Sequence, residues 1–473
     1  MNSKSKIMNR RKYLQRVGAG AAALALAGCA PGENAATGSN KLNFIYILAD
    51  DLGYGDLGCY GQETIKTPNI NRMAREGMKF TEHYAGSTVC APSRCCLMTG
   101  YHTGHSFIRG NGEVKPMGQR PIPADSITLP GLLKEQGYRT GLVGKWGLGG
   151  PDSVGHPNKQ GFDHFFGYLC QRHAHNYYPE FLFRNQERVV LEGNKVEGDR
   201  LDGAGVATEK VVYSPDLMIK EALRFIRTSQ DQPFSLFYTT TLPHANNEGG
   251  NEGMEIPDYG DYAGEDWPDA QKGHAAMISR LDSDVGRIMD ELKELGLDDN
   301  TLVMFTSDNG PHREGGADPE FFNSSGPLRG IKRDLYEGGI RVPLIARLPG
   351  RVAAGQVSDH AGAFWDMLPT MVELSGGEVP AGIDGISMKS ALLGGVQPKH
   401  EYLYWEFSGK QAVRKGDWKA VRLDQEQKTE LYNLEDDLAE TRDLAADNPE
   451  KVEELSKLFD IARVESEFFP LKG

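Results

Sequence analysis

Positive charge is what this sequence lacks most. Its 52 Lys and Arg stand against 66 Asp and Glu, a formal net charge of -14, which argues against nucleic-acid binding through a clustered basic surface. An anionic substrate stays open if positive charge gathers in one cleft. Cysteine is also scarce, with six residues at 29, 59, 90, 95, 96 and 170. That is too few to imply a disulfide scaffold at this length, and adjacent Cys95 and Cys96 fit the geometry of a mutual disulfide poorly. No second Cys or His pair at metal-ligand spacing accompanies Cys90, Cys95 and Cys96, so a thiolate metal site is not supported. There is no internal repeat and no low-complexity segment beyond the leader. With 39% hydrophobic and 25% charged residues, the chain has the proportions of a soluble globular protein. Its 473 residues suit two or three domains of roughly 100–200 residues, or one large α/β core with an appendage.

The N-terminus reads as a leader. Lys4, Lys6, Arg10, Arg11 and Lys12 form a basic region before the apolar run from Val17 to Ala27. That run falls short of the about 20 residues of a membrane span and suits a signal peptide. Leu26-Ala27-Gly28-Cys29 resembles a bacterial lipobox with Cys29 as the lipidation site, and Arg10-Arg11 resembles a twin-arginine export signal. The expectation is a signal peptide over 1–28, a tether over 29–40, and a lipid-anchored protein of the bacterial periplasm or cell envelope.

Past residue 41, short apolar runs alternate with longer amphipathic stretches, the pattern of a mostly parallel α/β sheet. The runs Lys41 to Leu48, Tyr138 to Val143, Pro233 to Thr239 and Thr301 to Thr306 stop at Asp50-Asp51, Gly144-Lys145, Pro243-His244 and Asp308-Asn309-Gly310. Helices are predicted from Pro215 to Thr228 and from about His274 to Leu295. Ligands bind beyond the carboxyl ends of strands in such sheets, so four runs ending in an acid, a Lys or a His predict one shared site. Taken singly, each is a turn or helix cap. Together Asp50, Asp51, Asp308 and Asn309 offer hard oxygens with three formal charges, which suits Ca²⁺, and Mg²⁺ less well. Three carboxylates held close repel unless a cation joins them.

The most specific feature is Cys90-Ala91-Pro92-Ser93-Arg94, with Thr99-Gly100 following. It resembles the type I sulfatase signature Cys-x-Pro-Ser-Arg-x4-Thr-Gly, and with the upstream Asp pair and downstream Asp-Asn-Gly the resemblance covers nearly all of the chain after residue 41. The resemblance implies an alkaline-phosphatase-like α/β fold and a Cys90 oxidised to formylglycine by a maturation enzyme. It also implies a Ca²⁺-assisted, covalent hydrolysis of sulfate monoesters. A geminal diol can take sulfate on one oxygen and expel it as the other collapses to the aldehyde, a built-in exit that a thiol lacks. Ser93 and Arg94 are read as opening a helix that sets the nucleophile at its positive end, with Arg94 beside it.

Other positions carry over by motif. Lys145 and Lys332 are similar to the family's two sulfate-binding lysines, and His244 to the His that protonates the leaving oxygen, a role suited to its ordinary pKa. Cys90 joins Asp50, Asp51, Asp308 and Asn309 as a ligand once converted. One departure stands out: the family usually has His after Lys-Trp, contacting the formylglycine, and here Gly147 follows Trp146. His173, His175, His312 or a water are the replacements considered.

The substrate side is expected in Cys170 to Pro179, whose polar and aromatic groups suit a sugar. His105, Arg109, His173, His175 and His312 are the binding candidates, and the substrate is a sulfated saccharide or an aryl sulfate. From Glu401, alternating runs up to Asn433 and a helix from Pro449 predict a small antiparallel sheet with one packed helix. The domain expectation is a catalytic unit over 41–390 and a C-terminal subdomain over 391–473. Two alternatives remain: a phosphoester hydrolase of the same superfamily, and a catalytically impaired glycan-binding lipoprotein, the latter supported only by Gly147.

Overall fold

The computed structural model describes residues 41–198, 201–424 and 428–471. The expected leader, Cys29 and the expected tether lie outside these residues. Among the described residues no helix is long and apolar enough to cross a membrane.

Seven strands of the main sheet position the site: β1 (Asn43–Ala49), β2 (Met78–Tyr84), β3 (Arg139–Lys145), β4 (His164–Tyr168), β5 (Phe234–Thr239), β6 (Thr301–Ser307) and β7 (Arg341–Arg347). Across the sheet they run β2-β7-β6-β1-β5-β3-β4. The five strands from β6 to β4 are parallel, while β7 is antiparallel to β6 and β2 to β7. The sheet is therefore mostly parallel, as its apolar runs predict, with β1 near its middle.

A parallel strand covered on both faces must be apolar on both, and β1 is buried at every residue. Its alternation divides two cores. Ile45 and Ile47, with Val303 and Phe305, face residues of the helices Ser214–Arg227 and Asp269–Glu294. Phe44, Tyr46 and Leu48, with Leu302 and Met304, face helix α1 (Cys90–Thr99) and the helix Met367–Leu374. The helix expected from His274 starts five residues earlier, at Asp269. Pro268 sets an extended entry there (φ -56°, ψ 142°), and Asp269 places an acid in the first turn, where the helix dipole favours it.

The second sheet is antiparallel, with strands Leu403–Phe407, Lys410–Lys415, Trp418–Arg422 and Glu430–Asn433. One face packs on the helix Pro449–Ile461 through Tyr404, Val413, Ala420, Leu455 and Phe459. The other packs through Trp405, Val421 and Tyr432 onto Tyr84, Cys96 and Ile340. This second face also carries a buried ion network. Lys419 Nζ lies 2.9 Å from Glu337 Oε1 and 2.8 Å from Glu440 Oε1, with all three side chains fully buried. Burial raises the Glu337 carboxyl, but the Lys419, Arg341 and Arg414 charges outweigh it and hold it at about 2. With its folded pKa depressed, Glu337 stabilises the fold above its ordinary value of 4.5, and that contribution is lost as pH falls toward 2.

Lys419→Met should be strongly destabilising, because it leaves two buried carboxylates facing each other. Breaking a buried pair costs roughly 3–5 kcal/mol. Denaturant melts of the variant and wild type measure it, and an unchanged midpoint would contradict the reading.

Candidate active site

The strand ends deliver their polar residues to one buried point. Asp50, Asp51, Asp308 and Asn309 have no measurable solvent exposure. Asp51 adopts a positive φ of 63°, uncommon for a non-glycine residue. Its backbone N–H donates to Asp308 Oδ1 at 3.1 Å, and Asn309 Nδ2 donates to Asp51 Oδ1 at 2.7 Å. The ends of β1 and β6 are thereby braced to each other.

Helix α1 starts at Cys90 itself, three residues earlier than the Ser93 opening expected. The preceding Val89 offers no capping side chain, so the helix presents its positive end beside Cys90. There the Ala91 N–H donates to Asn111 Oδ1 at 3.2 Å and the Ser93 N–H to the Val89 carbonyl at 3.3 Å. Arg94, one turn on, shares the face of Cys90. Its NH1 donates to the Lys145 carbonyl at 2.6 Å, and its Nε and NH2 to Asp308 Oδ2 at 3.1 and 2.8 Å. Cys90 Sγ and ligand atoms of Asp50, Asp51 and His244 all lie within 4.8 Å of one another. Burial pushes the Cys90 thiol up to about 11, against the pull of Lys145.

Both lysines are buried in the cluster. Lys145 Nζ donates to Asp50 Oδ2 at 2.7 Å. Lys332 Nζ donates to Asp51 Oδ2 at 2.7 Å and to Glu314 Oε2 at 3.0 Å, and lies 3.2 Å from His244 Nε2. His244 Nδ1 sits 2.6 Å from the Ala245 carbonyl, so Nδ1 carries the proton and Nε2 faces Lys332 and Asp51. Burial, more than any charge, lowers the His244 pKa.

Arg94, Lys145 and Lys332 thus offset Asp50, Asp51 and Asp308, and charge repulsion alone does not demand a metal here. Two other observations fit one. Asp50 Oδ1 and Asn309 Oδ1 are buried without a hydrogen-bond partner among the described residues, a cost of roughly 1–3 kcal/mol for each such atom. Burial and the Asp50 charge also push Asp308 upward. The unpaired atoms are hard oxygens, the donors Ca²⁺ and Mg²⁺ take.

The five substrate-side residues divide. His175 stacks on His244 with ring centroids 4.9 Å apart, and His312 lies 6.0 Å from it. The other three have partners of their own. His105 Nδ1 is held by Asp384 at 2.8 Å. The Arg109 guanidinium is taken by Glu406, at 2.9 Å, and by the Val464 and Ser106 carbonyls. His173 is packed between Tyr168 and Phe181. Glu314, on Lys332, and Glu248, 3.1 Å from His175 Nδ1, were not anticipated; nothing in their sequence surroundings marks them. Gln171 lies in the segment expected to meet substrate.

Residues 42–377 match the family model described as Sulfatase. The chain belongs to the sulfatase family. Residues 331–462 also match the C-terminal model of N-sulphoglucosamine sulphohydrolase. N-acetylgalactosamine-6-sulfatase of Canis lupus familiaris is 33% identical over 93% of this chain and 84% of its own length. Arylsulfatase A of Bos taurus is 31% identical over 91% and 83%. Among solved structures, that of Ps i-CgsB in complex with k-i-k-neocarrahexaose has a TM-score of 0.75 at 27% identity, covering 89% of this chain and 93% of that one. The phosphonate monoester hydrolase of Agrobacterium radiobacter, at 20% identity and a TM-score of 0.62 over 89% of this chain and 95% of its own, shares the fold. This sulfatase is accordingly a type I sulfuric ester hydrolase of the alkaline phosphatase superfamily.

Proposed function

We propose that this sulfatase removes sulfate from a sulfated carbohydrate, using a formylglycine hydrate made from Cys90 and a Ca²⁺ ion held by Asp50, Asp51, Asp308 and Asn309. One observation carries the reading: Cys90, Lys145, Lys332 and His244 converge on a single buried carboxylate cluster. The relatives add support, since one is named for N-acetylgalactosamine 6-sulfate and one neighbour is complexed with a neocarrahexaose.

The residues divide the work. Lys145 and Lys332 each turn an ammonium toward the cluster and would grip sulfate oxygens entering it. The positive end of α1 and Arg94 favour negative charge on the Cys90 side chain. His244 holds its resting proton on Nδ1, so its Nε2 would first take up a proton, a charged form that the sulfate's negative charge favours, and then give it to the departing alcohol. Bound in the oxygen cluster, the cation would supply Lewis-acid stabilisation and a lower nucleophile pKa. We further propose that 41–390 is the catalytic unit and 391–473 the subdomain buttressing it. In this reading a formylglycine-generating enzyme matures the chain, which is exported and anchored through Cys29.

Parallel assays on sulfated mono- and disaccharides, an aryl sulfate and an aryl phosphate test the reading. Sulfate release from at least one saccharide, well above any phosphatase rate, is expected. A dominant phosphatase rate would end it.

A further inference from the structure

Gly147 lies two residues past Lys145 and has a φ of +86°. A Cβ on it would stand 1.8 Å from Gln171 Nε2 and 2.8 Å from Gln171 Cδ. The Gln171 carboxamide therefore fills the space where a side chain at 147 would begin. Gln171 is 4% exposed, and neither its Nε2 nor its Oε1 has a hydrogen-bond partner among the described residues. A buried amide left unpaired on both atoms is costly, and such a group calls for an explanation.

Its sequence neighbours supply the setting. Cys170 and Arg172 line a cavity of about 280 Å³ together with the segment Glu113 to Gly118. Three contacts tie this cavity to the reacting cluster. Asn111, two residues before Glu113, accepts from the backbone N–H next to Cys90. Arg172 Nε donates to Glu248 Oε1 at 3.0 Å, and Glu248 holds His175, the ring stacked on His244. Gln171 itself stands over Gly147, two residues past Lys145. Its chain neighbours Cys170 and Arg172 line the cavity while its own amide abuts Gly147, which sets it between the cavity wall and the strand end that carries Lys145.

Resting on the saccharide reading above, we propose that Gln171 is a specificity residue whose carboxamide binds neighbouring hydroxyls of the sulfated sugar. Hydrogen-bond chemistry selects this ligand. Sulfate has only acceptor oxygens, so it would satisfy Nε2 and leave Oε1 unpaired; a cation would do the reverse. A hydroxyl both donates and accepts, and two adjacent hydroxyls satisfy both atoms. The cavity is near the lower end of the roughly 300–1,000 Å³ of small-molecule pockets, a size for one sugar ring. Its charges balance: Lys115 and Arg172 face Glu113 and Asp202, with Arg172 3.5 Å from Asp202. A second sulfate on that ring finds no surplus positive charge there.

The test compares wild type, Gln171→Leu and Gln171→Glu as full chains on the saccharide sulfate that wild type turns over and on an aryl sulfate without vicinal hydroxyls. Gln171→Leu should lower kcat/KM on the saccharide on the order of 10²-fold, the scale on which a hydrogen-bonding site discriminates, with less than about a threefold change on the aryl sulfate. Its melting temperature should hold or rise, since an unpaired buried amide is replaced by an apolar group of similar size. Gln171→Glu keeps the shape and one acceptor but loses the donor, and should show the same substrate-selective loss; it carries the test if the Leu variant does not fold. Equal losses on both substrates, or no loss on either, would overturn the assignment while leaving the saccharide reading standing. Wild-type enzyme that cleaves the aryl sulfate and no saccharide would overturn both.

Discussion

Cys90→Ala should lose turnover by about 10⁴-fold or more, the scale expected when a covalent nucleophile is removed, and should stay folded. The side chain is buried at the first position of α1, so the substitution deletes one sulfur atom from a packed site. That costs about 1–2 kcal/mol, a minor loss for a fold with two large cores. Cys90→Ser sharpens the result. Its hydroxyl is placed to attack, but a simple alcohol has no second oxygen to drive sulfate out. Alcohol release that halts after the first cycle is therefore expected, against steady turnover by wild type. Stopped and steady-state assays on one aryl sulfate separate the two, and appreciable steady turnover by Cys90→Ala would remove Cys90 from the chemistry.

Asp308→Asn should be nearly as damaging to activity, by about 10³-fold, on the order of an electrostatic contribution lost at a preorganised site. It should leave the fold closer to intact than truncation would, because the Asn carbonyl can take the Oδ2 place and accept from Arg94, giving up only the bond from the Asp51 N–H. Asp308→Ala is a different experiment. Arg94 is 2% exposed and gives both Nε and NH2 to Asp308 Oδ2. Without that partner it keeps only the Lys145 carbonyl and a longer contact to Asp50 Oδ2 at 3.8 Å, and breaking such a buried pair costs roughly 3–5 kcal/mol. The Ala variant should lose both activity and melting temperature, and the Asn variant mainly activity. Metal analysis by mass spectrometry should find about one divalent ion per wild-type chain and a reduced content in Asp308→Asn, as fits a site of hard oxygens. Full activity in Asp308→Asn would refute the assigned cluster.

Much of this site was legible because strand ends in a parallel sheet are legible. Asp50-Asp51, Lys145, His244 and Asp308-Asn309 each follow an apolar run, and fold rules bring such ends to one rim. Charge balance was not readable in the same way. Arg94 on Asp308 and Lys332 on Asp51 and Glu314 are contacts between residues 18 to 281 positions apart, and no local pattern encodes them. The same limit governs His105, Arg109 and His173: loop residues of suitable chemistry, each drawn off by a distant partner or an aromatic pocket. Conversely, Gly147 looked like a gap because a sequence shows only what a position lacks. The space beside it is filled by Gln171, 24 positions on, and only the fold reveals that.

The measurement closest to the central claim is the mass of the Cys90 peptide in protein from its native host, read together with its reaction toward a hydrazide probe. Conversion of the thiol to the aldehyde of formylglycine lowers the mass by about 18 Da and creates a carbonyl that the probe captures. The account predicts that lighter, probe-reactive peptide. An unmodified Cys90 in catalytically active protein would contradict it.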